Sequence, residues 1–483
     1  MKDINKEQIQ QQSDIQEAND EKQQDDTIQI SRWEVLRAYS TICMTCAILA
    51  FILIHSIITG VYFRSDVSFY GIHFYALCNG IKIAVILFIF VMRQVVFKVS
   101  GKKTIDIKKR NKMLSIEQIV TFLILIFLSV DLAIFMRQFN DINYGPITII
   151  NGNKTQIHWY TKGKSPSIVN VGSQVINDSK LTRFHNVLVD SQDFTYSVQD
   201  ITTAQASYSL PSTIGKFVVM TDIHRNSKYM KSMDQDYDFN LLNGDYSSGG
   251  MAHEFSQTFR DIHQKPIILA VGNHDILTGG EVDKLILREP YFYQKIGQLG
   301  FYFIQVLNTN NIINSQWINK TKVDEAIKFL NENIHLSQND EHVFIVSHQS
   351  VYSTGEYGSP EYFTKKMEEF LDSHHTSKIR AVLSGHDHIF ASFKRNNQYF
   401  FVNGAGGGAI DHMLDFGKRS WSSPELSGPM PVINSKTLGY DHHLKSYMKF
   451  TRTEITFENG KVQYRVRDLE ANTILTTFEQ TIQ

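Results

Sequence analysis

Cysteine is nearly absent. Cys43, Cys46 and Cys78 are the only three in 483 residues, and all lie in apolar segments near the N-terminus. No disulfide framework and no thiolate metal site is therefore available to the chain beyond Cys78. An excess of either charge is missing too: 48 Lys and Arg face 49 Asp and Glu, a net charge of −1. Nothing global thus suits a nucleic-acid partner. The acidic, Gln-rich stretch over residues 1–30 is unlike the front of a cleaved leader, and no small-residue cleavage site follows the next apolar run. The glycine run Gly404-Ala-Gly-Gly-Gly408 is not followed by Gly-Lys-Ser/Thr, so it reads as a tight turn and not a phosphate loop.

The length suggests about three units at ~150 residues each. Residues 1–30 carry almost no apolar periodicity and are expected to be a disordered, cytoplasmic tail. Three apolar runs follow within 31–137, at roughly 39–63, 72–92 and 116–136, each long enough for a bilayer-spanning helix of ~20 residues. They are apolar nearly all round, unlike the helices of a soluble bundle. The loop between the second and third holds Arg93, Lys98, Lys102, Lys103, Lys108, Lys109, Arg110 and Lys112 against Asp106 alone, which predicts a cytoplasmic loop. The sequence thus predicts an integral membrane protein with a lipid bilayer as partner and a lumenal or extracellular C-terminal region. The sequons at Asn153, Asn177 and Asn319 lie on that side and predict a glycoprotein. Lys82 and Asp131 inside the runs read as a buried ion pair, with a proton or ion pathway as the alternative.

Residues 138–205 hold short alternating runs: 147–150, 156–160, 167–171, 185–189 and 194–198. Separated by turn residues, they predict a small all-β domain. Its Trp159 strand and closing Phe194-Thr-Tyr196 strand resemble a fibronectin type III-like domain, as found ahead of the catalytic domain of purple acid phosphatases.

Lys216-Phe-Val-Val-Met-Thr-Asp-Ile-His224 reads as a buried strand ending in Asp222 and His224. Residues two apart share a face of an extended chain, so both side chains can meet one object beyond the strand end. Four further apolar runs end alike. Asn240-Leu-Leu-Asn-Gly-Asp245 ends in a carboxylate, and the run from Pro266 ends in Asn273-His274-Asp275. The run from His342 ends in His348, and that from Arg380 ends in Gly-His386-Asp-His388. Ligand sites of layered α/β proteins lie at the carboxyl ends of strands, so these side chains are expected to converge. A carboxylate beside imidazoles is metal-binding chemistry.

In that order, Asp-x-His, Gly-Asp, Gly-Asn-His-Asp, a lone His after a strand and Gly-His-x-His resemble the metallophosphoesterase (calcineurin-like phosphoesterase) superfamily, from about Phe217 to the C-terminus. The resemblance implies a four-layer α-β-β-α sandwich over 214–483 with two metals at one edge. It assigns Asp222, His224, Asp245 and His388 to the first metal, and Asp245, Asn273, His348 and His386 to the second. Asp245 bridges both, and without thiolates Fe, Zn and Mn all remain open. His274 then corresponds to the acid that protonates the leaving oxygen, oriented by Asp275. Two departures stand out. Tyr-Ser-Ser-Gly-Gly follows Asp245 where phosphoprotein phosphatases continue Asp-Arg-Gly, and Ser248 stands where purple enzymes place a tyrosine. His224, which those enzymes replace, is kept. Arg225 and Asn226 are candidates for touching phosphate, whereas His412, His442 and His443 are left outside the site. The chain is thus expected to hydrolyse a phosphate mono- or diester from a membrane anchor; the alternative is an inactive binding module on that anchor.

Overall fold

The computed structural model describes residues 10–11 and 144–482, with gaps at 192, 200–205, 227, 231–236, 251, 260–264, 277–288, 308–317, 375–377, 412, 416–417, 420–424 and 431. Its centre is a run of parallel strands, β6 (Lys216–Met220), β7 (Phe239–Asn243) and β8 (Ile267–Ala270). Phe, Val, Leu and Ile dominate them, because a parallel strand covered on both faces must be apolar on both. Antiparallel β19 (Thr451–Glu458), β20 (Lys461–Asp468) and β21 (Ile474–Thr481) extend the sheet beyond β6. A second sheet stacks on the first. It has parallel β10 (Leu299–Ile304), β11 (His342–Ser347), β12 (Ile379–Ser384) and β14 (Gln398–Asn403) at its centre. Its flanks are β9 (Phe292–Ile296) on one side and β13 (Phe390–Arg395), β18 (His443–Tyr447) and β17 (Glu425–Ser427) on the other. A separate ribbon pairs β15 (Leu414–Asp415) with β16 (Lys418–Arg419).

Strand alternation divides the core into layers. Phe217, Val219, Phe239 and Leu241 face Phe301, Phe344, Val346 and Leu383 between the sheets. The Phe217 ring stacks on Phe239 at 4.8 Å and meets Phe301 edge-on at 5.6 Å. Val218, Met220, Leu242 and Leu269 point outward under Phe255 and Phe259 of α1 (Ala252–Phe259). Tyr302, Ile345, Val382 and Val402 point the other way, under α2 (Lys320–Asn333) and α3 (Glu361–Ser373). The Asn319 side chain caps α2, accepting from the Thr321 and Lys322 amides. The described residues thus form a mixed α/β sandwich of two sheets with helices on the outer faces.

Two expectations need correcting. No helix among the described residues is long and apolar enough to cross a membrane. The three apolar runs, Lys82 and Asp131 lie outside the described residues, so the predicted spanning helices, the integral-membrane placement and the lumenal glycoprotein have no support. The second correction concerns 138–205. Among the described residues its strands β1 (Tyr144–Asn151), β2 (Lys154–Val171), β3 (Gln174–Val189) and β4 (Asp193–Val198), with β5 (Ala206–Ser209) just beyond, do not close a fibronectin-like sandwich. They extend the first sheet in the order β8-β1-β2-β4-β5, with β3 also on β2. The link is the parallel pair Ile149 and Ile267. The runs 156–160 and 167–171 belong to one strand, interrupted by irregular register between Tyr160 and Ser167.

This extension makes a pH prediction. His158 is fully buried, its Nδ1 lies 2.8 Å from Asn186 Oδ1, and burial pushes its pKa from 6.5 down to about 4. Between those values the unfolded chain binds the proton that the folded chain refuses. The stability contribution is therefore complete above pH 6.5 and is lost as pH falls towards 4, amounting to about 2 kcal/mol by pH 5. Urea unfolding at pH 7 and pH 5 should show His158→Gln losing less stability than the wild type by about that amount. Equal losses would contradict it.

Candidate metal centre

Five strand ends deliver the site. Asp222 and His224 follow β6, Asp245 follows β7, Asn273 and His274 follow β8, His348 follows β11, and His386 and His388 follow β12. The loops are laced together by backbone hydrogen bonds: Asp222 to the Gly244 carbonyl, His224 to Asp245, Gly385 to His348 and Gly408 to Asp222. The Asn243 amide crosses between the sheets, donating to the Ser347 and Leu383 carbonyls. Four of the candidate ligands sit in the left-handed region, at φ 54° (Asp222), 48° (His224), 51° (Asp245) and 74° (His386). Such backbone costs about 1–3 kcal/mol per residue and persists where surrounding structure enforces it, often at functional sites. Gly272 is needed here because a Cβ would come within 2.0 Å of Asp245 Oδ1.

The side chains meet in two overlapping groups. His224 Nε2 is 3.1 Å from His388 Nε2, which is 3.5 Å from Asp222 Oδ1. His348 Nε2 lies 3.3 Å from Asp245 Oδ2 and 3.8 Å from Asp222 Oδ1. Asp245 Oδ2 is also 3.8 Å from His224 Nε2, and Asn273 Oδ1 is 3.0 Å from His386 Nδ1. Tautomers are set from behind. His348 Nδ1 donates to the Asn243 carbonyl and His388 Nδ1 to the Ala409 carbonyl, which turns each Nε2 inward, the atom whose lone pair a metal ion would take.

These residues fit metal ions. His386 Nε2 is buried without a hydrogen-bond partner, an arrangement that is costly unless something binds there, while Asp222 Oδ1 and His348 Nε2 are buried with only ion-pair contacts of 3.3–3.8 Å. Two imidazole nitrogens bound at about 2.0–2.1 Å to one ion stand roughly 3 Å apart, as those of His224 and His388 do. Burial disfavours charge on His348 and His388, yet the Asp222 and Asp245 carboxylates override it and raise each to about 10. Burial and neighbouring imidazolium charges push His224 and His386 well down. Burial also disfavours charge on Asp245, but the surrounding imidazoles hold its carboxyl far below the usual range.

Residues 215–390 match the family model described as calcineurin-like phosphoesterase. They form a calcineurin-like phosphoesterase domain. Comparison with curated proteins finds no match. Among solved structures, the chain is similar to a purple acid phosphatase from yellow lupin (Lupinus luteus) seeds. Identity is 11% over 71% of this chain and 74% of that one, with a TM-score of 0.50, a likeness of fold alone. It is also similar to PhoD, at 11% identity over 71% and 90% of the two chains, with a TM-score of 0.44.

The phosphoesterase domain brings all seven expected ligand side chains together, but it rearranges the residues around them. His274 lies beside His224 and Asp245, its ring edge-on to that of His224 at 4.6 Å. Its Nδ1 donates to the Ser248 carbonyl and its backbone amide to Asp245 Oδ1. Asp275 does not orient it. That carboxylate faces away, accepting from the backbone amides of Asp245, Ser247 and Gly272 and from the Ser247 hydroxyl. Burial and the Asp245 charge raise it to about 8. Of the two phosphate candidates, Arg225 Nε lies 3.8 Å from Glu254 Oε1, and the Asn226 amide donates to the Gly407 carbonyl.

Three residues were missed. Asp411 accepts from the His388 amide, buried Asp387 accepts from the Tyr357 amide, and the Tyr357 ring lies 4.6 Å from that of His386. Asp387 was visible as the middle residue of Gly-His-x-His; Asp411 and Tyr357 stand in loops with no pattern to mark them. The glycine run packs beneath the centre, where a Cβ on Gly408 would reach within 2.9 Å of both the His224 and His388 rings.

Proposed function

We propose that this domain is a dinuclear-metal phosphoesterase acting on phosphate monoesters or diesters. Asp222, His224, Asp245 and His388 would hold one ion, and Asp245, Asn273, His348 and His386 the other. The supporting observation is that ligand-type side chains from five strand ends converge, their inward atoms buried and His386 Nε2 left without a hydrogen-bond partner. Bound ions of this kind supply a water of lowered pKa and neutralise charge on the phosphate.

The chain's own groups do the rest. Asp245 is ionised and fixes the turn of His274 through its amide. With Nδ1–H held by the Ser248 carbonyl, the imidazolium form of His274 carries its second proton on Nε2, the atom able to protonate the leaving oxygen. Asp275 ties the turns after β7 and β8 together and so holds Asp245 and His274 in register.

The test is turnover. Metal-loaded full-length protein should release alcohol from methyl phosphate, phenyl phosphate or bis(p-nitrophenyl) phosphate. A chelator should abolish release, and Zn, Mn or Fe should restore it. Two bound metals with no release from any ester would contradict the assignment.

A further inference from the structure

A cavity of about 280 Å³ opens beside His386, on the side of the second group of ligands. Its walls include Tyr357, Tyr362, Gln349, Lys320 and Lys436. The Tyr357 ring reaches from the His386 ring towards solvent and is 36% exposed, so one aromatic surface runs from the metal ligand into the cavity. Asp387 fixes that ring's loop through the Tyr357 amide. Gln349 is only 3% exposed, yet its Oε1 has no hydrogen-bond partner. A buried amide left so is destabilising unless a ligand or a water supplies the missing donor. At the rim, Lys320 lies 5.2 Å from the Tyr362 ring centroid. Glu361, the acid lining the cavity, is engaged by Lys365 at 2.7 Å, which leaves the rim with cationic character.

We infer that this cavity binds the alcohol part of the ester and selects a planar group that stacks on Tyr357, gives an N–H or O–H to Gln349 and carries a negative charge towards Lys320 and Lys436. The inference rests on the phosphoesterase assignment. The cavity adjoins the ligand set, so an ester phosphate at the metals can place its organic group against Tyr357. Planar aromatic surface is a stacking partner for such a group, and charge-assisted contacts at the rim add orientation.

The experiment measures binding and turnover separately on metal-loaded full-length protein, with metal content checked on each sample. Calorimetry compares methylphosphonate, phenylphosphonate, 4-carbamoylphenylphosphonate and 4-carboxyphenylphosphonate, none of which can be hydrolysed as an ester. The wild type should bind phenylphosphonate at least tenfold more tightly than methylphosphonate, and the two substituted rings more tightly still. Tyr357→Ala should cut the phenyl-to-methyl ratio at least fivefold. Gln349→Leu should erase the gain from the carbamoyl group, and the double variant Lys320→Ala/Lys436→Ala that from the carboxylate. Equal affinity for methyl- and phenylphosphonate, or ratios unmoved by these variants with two metals bound, overturns the subsite even if the corresponding phosphates are hydrolysed. The expected binding ratios with no hydrolysis of any phosphate overturn the esterase assignment and leave the subsite standing.

Discussion

Asp245→Asn is expected to lose about 10³-fold or more in turnover and to retain little metal at either position. Asp245 Oδ2 faces His348 at 3.3 Å and His224 at 3.8 Å, while Oδ1 accepts from the His274 amide. One carboxylate thus touches both groups of ligands and the turn that carries the proposed acid. An amide keeps the shape but removes the charge, and it can turn a donor towards His348 or His224. Metal stabilisation of several kcal/mol, at 1.36 kcal/mol per tenfold in rate, gives the stated loss. Kinetics on phenyl phosphate with metal analysis of the same sample reads both effects. Full activity with unchanged metal content would show that Asp245 is not shared.

His274→Ala is expected to keep its metals and to lose rate according to the leaving group. A positioned general acid contributes about 10²–10⁴-fold, most for an oxygen that leaves poorly without a proton. An alkoxide needs that proton, whereas a nitrophenolate leaves readily without it. Methyl phosphate should therefore suffer at least tenfold more than p-nitrophenyl phosphate. The comparison matters because His274 also lies within reach of His224 and Asp245, close enough to be a ligand. Loss of metal in His274→Ala, with equal rate losses on both esters, would make it a ligand and not the acid.

The convergence of these side chains was legible in the sequence because their chemistry leaves few alternatives. Buried apolar runs ending in Asp222, Asp245, Asn273, His348 and His386 announce both the strand and the end that carries a candidate ligand, and the structure brings those ends together. What lay one contact further out was not legible. Asp275 sits next to His274 in sequence, but the turn sends its carboxylate back to the amides of Asp245, Ser247 and Gly272. Ser248, distant in sequence, orients the imidazole with its backbone carbonyl, which no residue type signals.

The fold shows the same limit. Alternation reveals which residues of β1 and β2 face inward but not which strand lies alongside. Ile149 pairs with Ile267, more than a hundred positions away, and that single parallel link turns a supposed separate domain into an extension of the larger sheet. The long hairpin of β2 and β3 was broken up in the sequence by the Thr-Lys-Gly-Lys-Ser-Pro stretch at 161–166, which the structure accommodates as a register irregularity within one strand. The apolar runs of 31–137 carried the membrane expectation, with the basic loop and the sequons setting its orientation, and no helix among the described residues supports it.

The most direct test is an anomalous-scattering map from crystals of the metal-loaded protein, recorded on either side of the metal's absorption edge. Two peaks should appear about 3.5–4 Å apart, the separation of two-metal phosphate sites. Asp245 should contact both, Asp222, His224 and His388 should surround one, and Asn273, His348 and His386 the other. A single peak, or two peaks that do not share Asp245, would contradict the dinuclear centre.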